Sequence, residues 1–156
     1  MNAVRKSYFE ASARRRIAGI ADPDSFREIC GPRERLTSPS LGYFDAPAAF
    51  DDGAVVGEAR IDGRPVLLAA QEGKFLGGAL GEVHSAKIVG LLRRALRTRP
   101  EAVVILADSG GVRLQEANAG EIGATEIIRA VLDVRAAGIP VIGLIGGACG
   151  CYGGMG

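Results

Sequence analysis

Two glycine-rich segments are the stretches of this sequence whose residue types best suit chemistry. DSGG at 108–111 follows the apolar run AVVILA at 102–107, and GGACGCYGG at 146–154 follows the apolar run VIGLI at 141–145. Glycine lets backbone N–H groups approach a ligand closely, and grouped N–H donors stabilise a phosphate or a developing oxyanion. The competing interpretation is that these glycines only permit tight turns.

The chemistry that such donors support is stabilisation of negative charge on an oxygen. Gly110 with Gly111, and Gly153 with Gly154, each follow an apolar run, so each pair is placed to direct amides into a common space. A thioester carbonyl needs such donors when it becomes an enolate or a tetrahedral intermediate, and losing one donor typically costs about 3 kcal/mol of barrier. We therefore predict these four glycines as candidate catalytic residues.

Other catalytic and binding motifs find little support in the sequence. Ser109 stands in DSGGV and not in the G-x-S-x-G context of a nucleophilic serine, and neither a Walker loop nor a dinucleotide-binding fingerprint occurs. We interpret the single histidine, His84, as an ordinary helix-surface or capping residue. Cys30, Cys149 and Cys151 form neither a disulfide framework nor a metal-ligand spacing, which indicates a reducing compartment and no metal site.

Length and composition favour one globular domain without a nucleic-acid or membrane partner. The chain has 156 residues, 47% of them hydrophobic, and a formal net charge of +1. It can therefore bury a core, and it offers no electrostatic case for binding nucleic acid. Acidic residues dilute the basic run Arg14–Arg16, which we interpret as a solvated helix face. No apolar run reaches transmembrane length and no secretory signal is recognisable, so we expect a cytoplasmic protein.

The hydrophobic pattern from residue 54 onward predicts the elements that must position the glycine segments. Asp62-Gly63 predicts a hairpin turn between two strands, and the later apolar runs predict buried strands. We expect strands at 54–61, 65–71, 102–107 and 141–145, helices at 82–98 and about 117–137, and a glycine-bearing loop at 73–81. This order indicates an α/β fold with parallel buried strands, in which ligands bind at the carboxyl ends of the strands.

The first 50 residues are predicted to form a helical, loop-rich N-terminal arm, followed by the main domain at 51–156. A helix is expected over Ser7–Ile20, and a short helix over Ser25–Cys30 with Asp24 as its N-cap. Prolines and glycines between 33 and 53 then indicate an extended connector.

Four segments together resemble the acyl-CoA carboxyltransferase family. They are YFEASARRRIAGIADPDSFREICGP at 8–32, FLGGALGEVHSAKI at 75–88, DSGGVRLQEA at 108–117 and PVIGLIGGACGCYGG at 140–154. In that family an SGGAR-type loop precedes a helix and then a strand that ends in Gly-Gly. Within the family, the chain is similar to the β subunits of biotin-independent malonate decarboxylases. Bacterial acetyl-CoA carboxylase β subunits carry a four-cysteine zinc ribbon before this region. This sequence has one cysteine there, Cys30, which disfavours that subfamily.

The resemblance implies a crotonase-like fold, a superhelix of ββα units, and it implies roles for the glycine segments. Gly153 and Gly154 match the family's oxyanion-hole glycines, which hold the acyl thioester carbonyl. The loop that contains Gly110 and Gly111 matches the first glycine loop, near the pantetheine arm and its phosphates. The residues predicted to bind the substrate or its prosthetic group are Ser109, Val112, Arg113, Gly146 and Gly147.

The resemblance also implies a reaction and a set of partners. Malonyl would be carried as a thioester on an acyl carrier protein, whose arm is a dephospho-CoA-derived prosthetic group. Loss of CO2 would leave an acetyl thioester enolate, which is then protonated. The chain itself would bind no cofactor directly. Its implied partners are a homologous γ subunit, the acyl carrier protein and an acyl-carrier-protein transferase subunit.

Two features of the chain depart from the family pattern. Val112 stands where the family usually has Ala, and family members continue beyond the position of Gly156 into a helix. We therefore expect an incomplete, N-terminal part of such a domain, inactive alone, with apolar strand surface uncovered and reduced stability or dependence on a partner. Two other interpretations remain open: a carboxyltransferase subunit of a biotin-dependent acyl-CoA carboxylase, and a non-catalytic phosphate- or nucleotide-binding module.

Overall fold

The computed structural model describes residues 7–152, which fold into a five-stranded sheet with three helices. The helices are α1 (Ala13–Ile20), α2 (Glu82–Thr98) and α3 (Asn118–Ala136). The strands are β1 (Arg27–Ile29), β2 (Ala54–Ile61), β3 (Arg64–Gln71), β4 (Ala102–Ala107) and β5 (Val141–Ile145). Four short 3₁₀ helices lie in the loops between them, at Pro32–Glu34, Leu41–Phe44, Leu76–Gly78 and Leu114–Glu116.

The sheet is mixed, and its strands follow the order in which they occur in the chain. β1, β2 and β3 pair antiparallel, whereas β3, β4 and β5 pair parallel. Each parallel connection runs through a helix, as crossovers between parallel strands require. The parallel part therefore places the carboxyl ends of β3, β4 and β5 at one edge of the sheet.

Both faces of the central strands are buried, because helices cover each side. Alternate residues of β3 and β4, such as Leu67 and Ile105, pack with α2 and α3 on one face. The residues between them, such as Leu68 and Leu106, pack with Ile17 of α1 on the other face. This two-sided burial explains why β3 and β4 read as continuous apolar runs instead of alternating patterns.

The α/β architecture predicted from the sequence is confirmed, and several elements have the predicted bounds. β2, β4, β5 and α2 begin and end where the hydrophobic pattern placed them. The hairpin turn at Asp62-Gly63 also forms, with both residues at positive φ. Among the described helices, none combines the length and apolar character that a membrane crossing requires.

The predicted short helix over Ser25–Cys30 is wrong, since Arg27–Ile29 forms the edge strand β1 instead. β1 pairs with β2, so that Ile29 lies opposite Val56. Asp24 adopts a left-handed φ of 57° and does not cap a helix. Backbone pairing with β2 overrides the local helix signal, because a three-residue segment gains more hydrogen bonds from a sheet edge than from one helical turn.

The start of α1 and the burial of β5 also differ from the predictions. α1 begins at Ala13 and not at Ser7, since the Arg16 guanidinium binds the carbonyl oxygens of Tyr8 and Phe9 in the preceding turn. The apolar run at 141–145 predicts a buried strand, and for β5 this prediction is wrong. β5 forms a sheet edge in which Ile145 is 62% exposed. The expectation of uncovered apolar strand surface agrees with this exposure.

Within the described part of the first 50 residues, α1, β1 and the turn between them contact the main sheet. α1 packs across β2, β3 and β4 through Ile17, and β1 extends the sheet by one strand. The predicted domain boundary between residues 50 and 51 stays a prediction.

Candidate functional site

The two glycine-rich segments meet at the carboxyl ends of β4 and β5. The Ser109 N–H donates to the Gly150 carbonyl at 2.9 Å, and the Tyr152 N–H donates to the Ser109 carbonyl at 3.0 Å. Ser109 and Cys151 therefore pair as a short parallel bridge. This contact agrees with the expectation that loops after neighbouring parallel strands line one region. Gly153 and Gly154, the predicted oxyanion donors, follow this bridge immediately but lie outside the described residues.

In this structure the amides of the first glycine loop form hydrogen bonds within the protein, and their donation to a ligand stays a prediction. The Gly110 N–H donates to the Gly77 carbonyl at 2.8 Å, and the Gly111 N–H donates to the Ser109 hydroxyl at 3.3 Å. The Gly111 carbonyl accepts from Leu80 at 2.8 Å. Because these bonds tie the loop to residues 77–80, the two glycines shape the site and do not present free donors.

Asp108 connects the first glycine loop to the second. Its Oδ1 accepts the Cys149 N–H at 2.8 Å, and its Oδ2 forms an ion pair with Arg16 at 2.7 Å. The side chains of Asp108 and Arg16 are 3% and 2% exposed, so the pair is shielded from water. A charge-assisted hydrogen bond in such surroundings is stronger than a neutral one.

Two glycines are required by the close approach of this carboxylate. A Cβ added to Gly73 would lie 2.2 Å from Asp108 Oδ2, and one added to Gly147 would lie 2.0 Å from Asp108 Cγ. Gly146 faces the Tyr8 ring, whose Cδ1 would lie 3.0 Å from an added Cβ. The structure thus gives Gly146 and Gly147 a packing role, and their predicted contact with a prosthetic group stays a prediction.

Arg113 is buried in an ion-pair network, and its predicted place beside a phosphate-bearing arm stays a prediction. Its guanidinium lies 3.0 Å from Asp52 and 2.7 Å from Glu116, and the three side chains are at most 1% exposed. Since two carboxylates already occupy the guanidinium, it is not available to a ligand in this arrangement. Val112 likewise packs inward, where its Cγ1 would lie 2.6 Å from a Cβ at Gly120.

The same two carboxylates hold the N-terminus of α2. Glu116 Oε2 accepts the Glu82 N–H at 2.5 Å, and Asp52 Oδ2 accepts the His84 N–H at 2.9 Å. These amides have no partner within the helix, and negative charge is favoured at the positive end of the helix dipole. The network therefore joins the end of the first glycine loop to α2.

His84 is fully buried, so its interpretation as a helix-surface residue is wrong. Gln71 Oε1 accepts the Asp108 N–H at 3.1 Å, which turns the Gln71 amide nitrogen towards His84 Nε2 at 3.2 Å. His84 Nε2 must then accept, and the ring proton lies on Nδ1, from which it donates to the Asp52 carbonyl at 3.2 Å. Burial, together with nearby Arg113, lowers the pKa of His84 to about 3, so the ring is neutral.

A cavity of about 380 Å³ opens between the residues before α1, the loop after β3 and the second glycine segment. Its lining residues are Phe9, Glu10, Ala11, Arg16, Glu72, Gly73, Lys74, Asp108, Ala148 and Cys149. Burial, reinforced by Asp108, raises the pKa of the Cys149 thiol, which keeps it protonated near neutral pH. Between residues 7 and 152, no group of three or more His, Cys, Asp or Glu side chains is arranged to hold a metal ion.

Sequence reasoning missed the polar residues beneath the glycine segments. Asp108, Gln71 and His84 sit at or near element ends, and Asp108 directly follows a buried strand, which was a signal available in the sequence. Arg16 and Asp52 gave no such signal, because each lies far along the chain from its partner. Their roles depend on tertiary contacts that spacing does not reveal.

The chain belongs to the carboxyl transferase family. Residues 10–155 match the carboxyl transferase domain. The relatives include malonyl-S-ACP:biotin-protein carboxyltransferase from Malonomonas rubra, which is 40% identical over 97% of this chain. The methylmalonyl-CoA carboxyltransferase 12S subunit from Propionibacterium freudenreichii is 35% identical over 88% of this chain.

Solved structures agree with this membership and with a crotonase-like fold. A Pseudomonas malonate decarboxylase hetero-tetramer in complex with malonate contains a chain that is 42% identical over 96% of this chain, with a TM-score of 0.90. The transcarboxylase 12S structure gives a TM-score of 0.75 at 33% identity over 86% of this chain. The resemblance to malonate decarboxylase stated from the sequence is thereby confirmed.

The chain spans only part of the length of these relatives. It covers 52% of the Malonomonas protein and 26% of the propionibacterial subunit. It covers 55% of the matching chain in the Pseudomonas hetero-tetramer and 25% of the 12S chain.

Proposed function

We propose that this chain is part of an enzyme that decarboxylates a malonyl thioester carried by an acyl carrier protein. The backbone amides of Gly153 and Gly154 would donate to the thioester oxygen. The observation that carries the proposal is the bridge between Ser109 and Cys151, which brings the described part of the second glycine segment to the end of β4 and supports this role for the glycines that follow it in the sequence. The cavity beside Ala148 and Cys149 gives a substrate access to the same segment.

The proposed reaction needs stabilisation of negative charge more than it needs a titrating group. The bond between the carboxylate carbon and the α-carbon breaks, and CO2 leaves. The electron pair of the broken bond stays on the α-carbon side and forms the thioester enolate. A proton added to the α-carbon then gives the acetyl thioester. Backbone amides stabilise the enolate oxygen without changing protonation, and each donor contributes about 3 kcal/mol.

The proposal includes a substrate arm and three partners. The malonyl group would reach the site on a dephospho-CoA-derived arm of the acyl carrier protein, and the chain would bind no cofactor of its own. A homologous γ subunit would complete the site, and a transferase subunit would load the carrier protein. The hetero-tetrameric state of the similar Pseudomonas malonate decarboxylase supports partner subunits. We propose that the chain alone is inactive.

A second candidate function is transfer of the carboxyl group from a malonyl thioester to a biotinyl protein. It is favoured by one observation, the 40% identity to the Malonomonas protein whose name states that transfer. The two candidates share the enolate and its oxyanion donors. They differ only in whether the departing carboxyl group is released as CO2 or captured by biotin.

One reconstitution separates these functions. The chain is assembled with its γ partner and supplied with malonyl acyl carrier protein labelled with ¹³C in the carboxyl group, with and without a biotinyl carrier protein. We expect labelled CO2 and acetyl carrier protein without biotin. Label found only on the biotinyl carrier would favour the second candidate, and no turnover in either assembly would overturn both.

The donor role is tested by a matched pair of substitutions. Gly154→Pro removes the N–H, whereas Gly154→Ala keeps it. We expect kcat to fall at least about a hundredfold in the proline variant, corresponding to the loss of one oxyanion donor, and to fall much less in the alanine variant. Equal rates for the two folded variants would show that the Gly154 amide does not act on the substrate.

A further inference from the structure

We propose that Arg16 and Asp108 are a positioning pair that sets the second glycine segment, residues 146–152, at the site. Arg16 lies outside the glycine motifs from which the function is inferred, and Asp108, the first residue of DSGG, is not among the predicted site residues. The catalytic consequence of this inference rests on the proposed function, because the positioned segment leads into Gly153 and Gly154. The positional consequence does not depend on that function and is measured separately.

Asp108 is the residue through which the second glycine segment is attached to the sheet. Its Oδ1 accepts the Cys149 N–H at 2.8 Å, and the adjacent Ser109 N–H donates to the Gly150 carbonyl at 2.9 Å. The Tyr152 N–H returns to the Ser109 carbonyl at 3.0 Å. The side-chain bond and the backbone bridge therefore hold the segment against the end of β4 at Cys149, Gly150 and Tyr152.

Close backbone contacts and hydrogen bonds hold Asp108 in place. Gly73 and Gly147 approach it so closely that neither tolerates a Cβ. The backbone N–H of Asp108 donates to Gln71 Oε1 at 3.1 Å, and the Gln71 amide nitrogen is in turn hydrogen-bonded to His84. These contacts restrict the position of the Asp108 carboxylate, and its hydrogen bond then restricts the position of the Cys149 amide.

Arg16 supplies the charge that makes this position stable. Its guanidinium lies 2.7 Å from Asp108 Oδ2 and donates to the carbonyls of Tyr8 at 3.0 Å and Phe9 at 3.3 Å. A buried carboxylate without a paired cation is strongly disfavoured. Arg16 thus couples α1 and the turn before it to the second glycine segment, across the carboxyl ends of β3 and β4.

The experiment compares three substitutions at the pair with one control on the same helix. Arg16→Met removes the cation, Arg16→Lys keeps a charge without the planar guanidinium, and Asp108→Asn keeps the shape of the anion without its charge. The control, Arg14→Met, removes an arginine two residues earlier that pairs instead with Glu28 and Asp51. Hydrogen exchange is measured by mass spectrometry for a peptide covering 146–152 and for a peptide covering β2.

We expect Arg16→Met and Asp108→Asn to accelerate hydrogen exchange in 146–152 at least about tenfold. Loss of a hydrogen bond to a charged group shifts the local opening equilibrium by a factor of this size or more. Exchange in β2 should change much less. Arg16→Lys should give an intermediate value, and Arg14→Met should match the wild type. In the assembled enzyme, kcat for malonyl thioester decarboxylation should fall at least tenfold while KM changes less than threefold.

Two results would overturn the inference. Unchanged exchange in 146–152 in folded Arg16→Met and Asp108→Asn variants would show that the pair does not hold this segment. Hydrogen exchange could instead be accelerated equally in 146–152 and in β2, in both Arg16→Lys and Arg16→Met. That result would show that the pair stabilises the whole fold and not this segment. If the wild-type assembly fails to decarboxylate malonyl thioesters but the local exchange result holds, the proposed function fails and the positioning role stands.

Discussion

At the scale of single residues, glycines in the candidate site are required by their neighbours as much as by any ligand. Gly147 shows this most clearly, because an added Cβ would lie 2.0 Å from Asp108 Cγ. Asp108 is held by Arg16 at 2.7 Å and by the Cys149 N–H at 2.8 Å. A collision there cannot be relieved by a side-chain rotation, since both carboxylate oxygens are engaged.

We therefore predict that Gly147→Ala lowers the free energy of unfolding by about 1–3 kcal/mol, the usual effect of overpacking. Gly143→Ala is the matched control, because nothing lies within 4 Å of a Cβ built on Gly143 in the edge strand β5. Urea unfolding of the two variants measures the difference. Equal midpoints for the two variants would contradict the close approach that the structure shows.

The second residue-scale prediction concerns the pH dependence of stability. Burial lowers the pKa of His84 to about 3, well below its ordinary value of 6.5. Between these values the unfolded chain binds a proton on His84 and the folded chain does not. The stability that neutral His84 contributes is therefore fully present above about pH 6.5 and is lost as pH falls towards 3, at up to about 1.4 kcal/mol per pH unit.

A His84→Asn variant tests this dependence, because His84 is the chain's one histidine. We expect the slope of unfolding free energy against pH between 4.5 and 7 to be shallower in His84→Asn than in the wild type. Ser85→Ala, which changes a buried neighbour that does not titrate, should keep the wild-type slope. Burial raises the pKa of Asp52 against its ion pair with Arg113, and this opposes the effect at the acid end. Parallel profiles for wild type and His84→Asn would contradict a neutral buried histidine.

At the scale of elements, α2 is held at its N-terminus by carboxylates from other segments. Asp52 precedes β2 and Glu116 precedes α3, yet both accept hydrogen bonds from the first turn of α2. Arg113 lies between them and compensates their charges. The helix therefore starts where three loops converge, and its position is coupled to the first glycine loop.

We predict that Glu116→Gln destabilises the fold by about 1–3 kcal/mol, because the charge-assisted bonds to Arg113 and to the Glu82 N–H are weakened in a buried site. Glu126→Gln is the control, since Glu126 pairs with Arg129 at 2.6 Å on the exposed side of α3. That variant should show no measurable change in chemical unfolding. Equal stability of the two variants would mean that the buried network does not anchor α2.

Most elements could be predicted from the sequence, because local pattern and tertiary structure agree in them. α2 ends before Pro100 and its apolar face is regular, so its bounds follow from the residues 82–98 alone. β1 could not be predicted, since its pairing with β2 depends on a partner about 30 residues away. The meeting of the glycine segments followed from strand order. The position of Asp108 after β4 marks it as a candidate site residue, but its pairing with Arg16 of α1 depends on a tertiary contact that neither segment reveals.

At the scale of the whole molecule, the sheet is covered unequally. β3 and β4 are buried on both faces, whereas among the described residues β5 has its neighbours along β4 and on the α3 side. A groove of about 420 Å³ runs between α3 and β5, lined by side chains such as Ile128, Val131 and Ile145. We call this the α3–β5 groove. Contiguous exposed apolar surface of this kind promotes association in soluble proteins.

The last prediction follows from this uncovered surface. The purified 156-residue chain should associate as its concentration rises, so that its weight-average mass in sedimentation equilibrium exceeds the monomer value of 16.2 kDa. The double variant Ile128→Lys/Leu132→Lys places charges at two exposed apolar positions of α3 and should stay near the monomer mass. Tyr43→Lys is the control, because Tyr43 is 88% exposed but lies in a loop away from the groove; it should associate as the wild type does. A monomeric wild type at every concentration, or equal association of all three chains, would show that the α3–β5 groove does not drive association.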